Sequence, residues 1–199
     1  MKGSILLFLM FILGIACGNI LPSIQYVNFD ISSMILLLLM FSVGINLGSS
    51  KEFIDIIRKA DLQILLVSAI TIAGTFAGMT IFSFFTIDFS LKELLAVGSG
   101  FGYYSLSSMI ISKISSETLA VVALLSNIFR EIISIILTPL LVKYFGGISP
   151  IVSAGATSMD TALPVIVKFS GSAYVFHAVF NGIVLTLLVP FLVVFFLNI

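Results

Sequence analysis

The stretch TLAVVALLSNIFREIISIILTPLLV, residues 118–142, decides the fold class of this chain. It exceeds the roughly 20 residues that a helix needs to cross the hydrocarbon core of a bilayer, and most of its side chains are apolar. A helix pairs its backbone N–H and C=O groups within the segment, whereas a barrel strand would alternate polar and apolar residues, which this stretch does not do. Residues 118–142 are therefore expected to form a transmembrane helix.

Six other stretches have the same character, and short polar connections separate them. With approximate edges, the seven stretches are 4–21, 31–48, 62–86, 94–112, 118–142, 148–167 and 174–197. Of the 199 residues, 60% are hydrophobic and 9% are charged, whereas a soluble domain is usually about 45–50% apolar and about 25% charged. The sequence predicts an all-α fold, a polytopic membrane helix bundle of about seven hydrophobic segments in a lipid bilayer. A single membrane domain is expected over 1–199, with a first helix pair (4–48), a cytoplasmic loop (49–61) and a core (62–199).

Charge and motif content exclude several classes of protein. Nine basic residues balance nine acidic ones, so no basic surplus indicates a nucleic acid partner. The single cysteine, Cys17, permits neither an internal disulfide nor a cysteine-based metal cage, and neither a cofactor nor a metal site is predicted. The sequence contains no G-x-S-x-G, H-E-x-x-H or GK[ST] motif, and its Asp160 and Glu131 lack the sequence context of an intramembrane aspartyl protease. An enzyme is therefore not expected.

Two segments near the N-terminus allow two interpretations each. Lys2 precedes an apolar run that ends in GIAC (14–17), which is compatible with a cleaved signal; the single basic residue and the poor cleavage site favour a retained first span. Residues 51–61 interleave apolar side chains with charges, which is compatible with an amphipathic turn at the membrane interface. A solvated loop with positive-inside anchors is the preferred interpretation for this loop.

Function is expected where polar groups lie inside hydrocarbon, because such groups are costly there unless they are compensated. The 118–142 helix carries a polar stripe at spacings of 3 or 4 residues, formed by Asn127, Arg130, Glu131, Ser134 and Thr138. Such a stripe faces protein or a wet cavity rather than lipid. Arg130 either pairs with a carboxylate that neutralises it or helps to line a functional cavity, and the cavity is the preferred interpretation.

A second polar site lies in SAGATSMDTALP, residues 153–164. Small, hydroxyl-bearing and helix-weakening residues concentrate here, namely Gly155, Thr157, Ser158, Thr161 and Pro164. Asp160 is the only acid of the segment, and a carboxylate near mid-membrane favours either a proton or a cationic partner. Asp160 is therefore a candidate proton carrier or counter-ion for a cationic substrate, with a salt bridge to Arg130 as the structural alternative.

A third polar site is GSGFGYYSLSS, residues 98–108, where glycines, serines and two tyrosines are unusually dense. Tight helix packing explains the small residues, but a discontinuous or re-entrant segment also explains the added donors and is preferred. Two such broken or re-entrant segments, 94–112 and 148–167, are typical of the midplane site of a secondary transporter. The candidate substrate- and proton-binding residues are Asp160, Glu131, Arg130, Asn127, Ser158, Thr157, Tyr103, Tyr104 and Ser105. The candidate helix-break residues are Gly100, Gly102, Gly155 and Pro164.

The same blocks carry a resemblance to a known family. VGSGFGYYSLSSMIIS (97–112), SNIFREIISIILTPLL (126–141), SAGATSMDTALPVI (153–166) and LTLLVPFLVVFF (185–196) are similar to blocks of the LysO-type lysine exporters. The resemblance implies a bacterial inner-membrane protein that exports L-lysine and toxic lysine analogues by antiport against protons. It also implies that the aspartate of the GATSMD block, here Asp160, is linked to transport.

The resemblance also bears on partners. Single-chain members of the family carry extra N-terminal spans, so these 199 residues resemble the C-terminal two-thirds of such a protein. This implies a small companion membrane subunit that carries the remaining spans, and it leaves a homo-oligomer open. Lysine has a net charge of +1, so its site needs carboxylates for the ammonium groups and donors such as Arg130 for the carboxylate. The alternatives are a transporter of another solute, either an organic anion or a sodium-coupled substrate, and a non-transporting membrane subunit.

The distribution of basic residues predicts the orientation in the membrane. If all seven stretches cross, one side receives Lys2, Lys51, Arg58, Lys59, Lys113 and Lys168, and the other receives Lys92 and Lys143. The positive-inside rule then places the N-terminus in the cytoplasm and the C-terminus outside.

Labelling of single introduced cysteines in intact cells tests this orientation. A membrane-impermeant maleimide should leave a cysteine at position 55 unlabelled and should label one at the C-terminus. Labelling of position 55 from outside would contradict the predicted orientation.

Overall fold

The computed structural model describes residues 62–199 together with Met34, Leu38, Phe41 and Ile45. The chain divides into two compact units, Met1–Ile45 and Asn46–Ile199. In the first unit the four described residues are helical and exposed, and their spacing places them on one face of a helix. The predictions for residues 4–21, for most of 31–48 and for the loop at 49–61 lie outside the described residues.

Every regular element within residues 62–199 is helical, which confirms the predicted all-α class for this part of the chain. Three of the helices are long and four are short. In chain order they are α1 (Leu62–Ser83), α2 (Leu91–Gly98), α3 (Tyr104–Ile114), α4 (Glu117–Phe145), α5 (Ser149–Ala154), α6 (Leu163–Ser170) and α7 (Val175–Asn198). A 3-10 helix over Gly155–Met159 follows α5, and a shorter one over Ser172–Tyr174 precedes α7.

Among the described residues, three helical segments are long and apolar enough to cross a membrane: Ile64–Ser83, Glu117–Phe145 and Ser172–Asn198. They correspond to the predicted stretches 62–86, 118–142 and 174–197. Their outer surfaces carry large exposed apolar side chains, such as Ile70, Phe129 and Ile136, as expected for helices that face lipid. The seven-segment count stays a prediction.

The other two predicted stretches are each divided between short helices. Residues 94–112 fall in α2 and α3, with the helix interrupted between Gly98 and Tyr104. Residues 148–167 fall in α5, the 3-10 helix and α6. Whether these segments enter and leave the membrane on the same side, as a re-entrant segment does, stays a prediction.

Hydroxyl caps define where the first interrupted segment and α4 begin. Ser90 precedes α2 and forms a capping box, in which its backbone N–H donates to Glu93 Oε2 at 2.8 Å and its hydroxyl accepts from the Glu93 N–H at 3.4 Å. Ser116 caps α4 by accepting from the Leu119 N–H at 3.2 Å. These caps satisfy N–H groups that the first turn of each helix leaves without a helical partner.

The second interrupted segment lies in the core of this unit. Ile151, Ala154, Ala162 and Ile166 are at most 1% exposed and form a cluster with Val67 of α1 and Ala178 of α7. The 3-10 helix and α2 and α3 also pack against α7. The helix interruptions are therefore surrounded by protein, which is the setting in which non-helical backbone is tolerated at membrane depth.

Candidate functional site

The two helix interruptions touch each other through their backbones. The Ala156 N–H, in the second interruption, donates to the Phe101 carbonyl oxygen of the first at 2.8 Å. Gly155 has a φ of +68°, and a Cβ atom at this position would collide with the same carbonyl oxygen. Phe101 itself has a positive φ of 47°, which is uncommon for a residue with a side chain. Close approach of the two chain breaks thus requires glycine at position 155.

Asn127 of α4 holds the first interruption. Its Oδ1 accepts from the Gly102 N–H at 2.7 Å, and its Nδ2 donates to the carbonyls of Val97 at 3.2 Å and Ala123 at 2.8 Å. The side chain is 3% exposed. One amide therefore satisfies the Gly102 N–H of the interruption and adds a second donor to the Val97 carbonyl, which also accepts from the Gly100 N–H; Gly100 packs directly against this amide.

Asn181 of α7 does the same for the second interruption. Its Nδ2 lies 3.3 Å from the Ile151 carbonyl and 3.1 Å from the Gly155 carbonyl, and the side chain is fully buried. The Ser158 hydroxyl adds contacts with the carbonyls of Gly155 at 2.7 Å and Ala178 at 2.8 Å. Asn127 contacts the carbonyl of Val97, and Asn181 contacts the carbonyl of Ile151. In both cases the asparagine lies 30 residues after the carbonyl, which belongs to the last turn of a short helix.

Arg130 of α4 contacts the end of α5. Its Nε donates to the Ser153 carbonyl at 3.0 Å and one terminal nitrogen to the Val152 carbonyl at 3.3 Å, while the other donates to Thr75 Oγ1 at 3.1 Å. The last carbonyls of a helix carry partial negative charge, so a cation there is favourable. Arg130 thereby ties α1, α4 and α5 together beside the interruption at Gly155.

Asp160 does not pair with Arg130 within the described part of the chain. Its Oδ1 accepts from the backbone N–H of Thr161 at 2.6 Å and faces the Thr161 hydroxyl at 3.3 Å. The Asp160 side chain is exposed in this part of the structure. The salt bridge that the sequence left open as an alternative is thus absent from residues 62–199, and the carboxylate keeps acceptor capacity for a ligand.

Two cavities lie beside the crossing of the interruptions. The Asp160 cavity has a volume of about 80 Å3 and is lined by Tyr103, Ala156, Thr157, Met159, Asp160 and Thr186. The Arg130 groove is larger, about 340 Å3, and runs along a face of small residues of α1 to Arg130, Val152 and Ser153. One cavity therefore presents a carboxylate and the other a guanidinium.

The remaining candidate residues take other places. Tyr104 and Ser105 lie in the first turn of α3, and Glu131 is half-buried on α4; neither of the two cavities includes them. Pro164 is not inside a broken helix but in the first turn of α6, where proline lacks only an N–H that would have no helical partner. The second interruption depends instead on Gly155 and on the 3-10 helix that follows it.

Sequence reasoning missed two residues of this site. Asn181 was noticeable as a polar residue one turn from His177, but nothing in the pattern indicated that it contacts carbonyls of another helix. Thr186 was not noticed, although Pro190 follows it by four residues and so leaves its carbonyl without a helical donor. The pairing of a hydroxyl with a proline four positions later was the available signal.

A helix bundle in which two interrupted segments cross beside a carboxylate is the arrangement typical of multi-pass membrane proteins of the transporter class. The family model of the lysine exporter LysO matches residues 8–197, and the chain belongs to this family. It is 32% identical over 189 residues to the lysine exporter LysO of Escherichia coli strain K12, covering 93% of this chain and 61% of that protein. A Haemophilus influenzae relative that is also named for lysine export is 33% identical over 162 residues, covering 81% of this chain and 82% of the relative. No solved structure matches the chain significantly.

A stability measurement tests the requirement for glycine at the crossing. Gly155→Ala adds a Cβ that meets the Phe101 carbonyl at a φ that side chains rarely adopt, so we expect the free energy of unfolding to fall by more than about 2 kcal/mol. Thermal unfolding of the purified protein in detergent measures the change. Gly74→Ala is the matched control, because a Cβ there meets nothing within 4 Å and alanine favours a helix. Equal stability of the two variants would contradict the described crossing.

Proposed function

We propose that this chain exports L-lysine and lysine analogues from a bacterial cell as part of a secondary transporter, by antiport against protons. The observation that carries the proposal is the Asp160 carboxylate, which lies in a cavity beside two crossing helix interruptions and makes no ion pair with a described cation. Membership of the LysO family and the names of both relatives support lysine as the substrate. The site lies in the inner membrane in this proposal, with the N-terminus in the cytoplasm.

The proposed mechanism depends on competition for one carboxylate. A carboxylate can hold either a proton or a cation, and it cannot hold both with full benefit. Lysine leaving and a proton entering would therefore exclude each other at Asp160, which is the exchange that antiport requires. The half-buried Glu131 is a second candidate acid, on the same helix as Arg130.

Arg130 is the candidate for the α-carboxylate of lysine. A guanidinium has five N–H donors, and the Ser153, Val152 and Thr75 contacts use one each, which leaves two. These donors belong to a side chain that lines the Arg130 groove. In this proposal the polar residues around them, including Asn127, Ser158, Thr157 and Tyr103, support the interrupted backbone or border the Asp160 cavity.

A second candidate function is transport of an organic anion. It is favoured by Arg130, which makes no ion pair with an acidic residue among the described ones. An anion would then bind in the Arg130 groove, and Asp160 would serve only as a proton or sodium site. Competition between lysine and a dicarboxylate during transport distinguishes the two functions.

Neutralising Asp160 tests the mechanism. Asp160→Asn keeps the shape but removes the charge, so initial lysine efflux should fall at least tenfold, to near background, at every pH measured. Efflux is followed from proteoliposomes loaded with labelled lysine, at matched protein abundance and over a pH series. Asp88→Asn is the matched control, since Asp88 is exposed in the α1–α2 connection and should export like the parent. Parent-like efflux from Asp160→Asn would contradict the mechanism and would show that Asp160 has only a structural role.

A companion subunit is the remaining part of the proposal. The chain spans 61% of the Escherichia coli relative, and we propose that a small membrane protein supplies the remaining spans. Expression of the native operon with a tag on this chain should then co-purify a small membrane protein, and its removal should abolish lysine efflux. Full efflux from this chain alone, in a strain without other lysine exporters, would remove the need for a companion.

A further inference from the structure

Thr186 of α7 departs from the behaviour of the other threonines in the long helices. Beyond the first turns, four threonines donate their hydroxyl to the carbonyl four residues earlier, at 2.7–2.8 Å; these are Thr71, Thr75, Thr80 and Thr138. Thr186 is 3% exposed, and its Oγ1 is buried with no hydrogen-bond partner among the described residues. A buried hydroxyl without a partner is destabilising, so the surroundings of Thr186 lack a hydrogen-bonding group.

The backbone carbonyl of Thr186 is incomplete as well. In an α-helix this carbonyl would accept from the N–H of residue 190, and residue 190 is a proline inside α7, which has no N–H. Thr186 therefore offers a hydroxyl and a carbonyl oxygen that both lack the usual helical partner. Thr138 provides the contrast, because it lies in α4, its hydroxyl is bonded, and its own carbonyl is not opposite a proline four positions later.

Thr186 lines the Asp160 cavity together with Tyr103 and Asp160 itself. The side chains around this small volume therefore include one carboxylate and two that carry a hydroxyl, those of Tyr103 and Thr186. A primary ammonium group has three N–H donors and no acceptor, so it needs such a set of oxygen acceptors. The volume of about 80 Å3 admits a compact head group but not a whole amino acid, and a guanidinium is broader and planar.

We propose that Thr186 is a specificity-determining residue whose Oγ1 accepts a hydrogen bond from a primary ammonium group held by Asp160. The ligand class of the Asp160 cavity is thus the primary alkylammonium, of which the side-chain end of lysine is one example. The inference rests on the proposed function only for the identity of the transported molecule. The cavity itself recognises the ammonium head and excludes guanidinium compounds.

Binding of a minimal probe tests this assignment without transport. The full chain in nanodiscs is titrated with n-butylammonium and with n-butylguanidinium by calorimetry, and folding is checked by thermal unfolding. The parent should bind the ammonium at least tenfold more tightly than the guanidinium. Thr186→Val, which keeps the shape and removes the hydroxyl, should weaken ammonium binding about tenfold, as expected for a hydrogen bond to a charged group. Thr186→Ser should restore binding to within about threefold.

A control variant at another buried threonine shows whether the effect is specific to the Asp160 cavity. Thr138→Val makes the same change at a buried threonine outside the cavity and should leave binding unchanged. Absence of n-butylammonium binding to the parent, equal binding of the guanidinium, or parent-like binding by folded Thr186→Val would each overturn the inference. Binding of sodium ions in place of the ammonium, with the same dependence on Thr186, would overturn it in favour of a metal cation.

The inference and the proposed function can fail separately. If the parent binds n-butylammonium in a Thr186-dependent manner but proteoliposomes export no lysine, the ammonium site stands and lysine export falls. If lysine is exported and Thr186→Val leaves the KM for lysine unchanged, the proposed export is supported and the proposed role of Thr186 is contradicted.

Discussion

The hydrogen bond from the Ala156 N–H to the Phe101 carbonyl joins the two points at which the chain leaves its helical path. Each interruption frees backbone groups that hydrocarbon cannot satisfy, and an unpaired group there costs several kcal/mol. The surrounding protein supplies the missing partners: Asn127 at the first interruption, Asn181 at the second, and Arg130 at the end of α5. These three polar side chains therefore lie where helices are broken, and the Asp160 cavity and the Arg130 groove lie beside them.

The two interruptions are supported in parallel ways by different long helices. An interrupted segment followed by a long helix occurs as α2, α3 and α4, and again as α5, α6 and α7. In each, an asparagine of the long helix reaches back to a carbonyl 30 residues earlier. The two segments resemble each other in how their free backbone groups are bonded and not in sequence. The broken stretches GSGFGYY (98–104) and AGATSMD (154–160) share few residues. If α2–α4 and α5–α7 are regarded as two halves, Asp160 lies only in the second half. The carboxylate of the site is therefore not duplicated in the first.

Much of this architecture could be predicted from single residues and their spacing, and part could not. Hydropathy located the three long helices, and the dense glycines of 98–108 and the small, hydroxyl-bearing residues of 153–164 pointed to the two interruptions, because these signals are local. The position of Pro164 at the start of α6 could not be read from the sequence, since a proline that starts a helix and a proline that breaks one look alike without the helix boundaries. The partners of Arg130 were unpredictable, because backbone carbonyls of another helix leave no mark in a side-chain pattern. The separation of Arg130 from Asp160 therefore emerged only from the structure.

Hydrogen bonds hold each interruption to the long helix that follows it, and others connect the two interrupted segments to each other. Asn127 and Asn181 make the first kind, and the second kind consists of the Ala156–Phe101 bond and the bonds from Arg130 to the end of α5. Each such bond contributes about 0.5–1.5 kcal/mol net when water can replace it, and somewhat more when one partner is charged. α2 and α3 also pack against α7, so a displacement of one interruption relative to the other would have to shift this apolar packing together with the hydrogen bonds. The crossing therefore couples the two interruptions mechanically beside the Asp160 cavity.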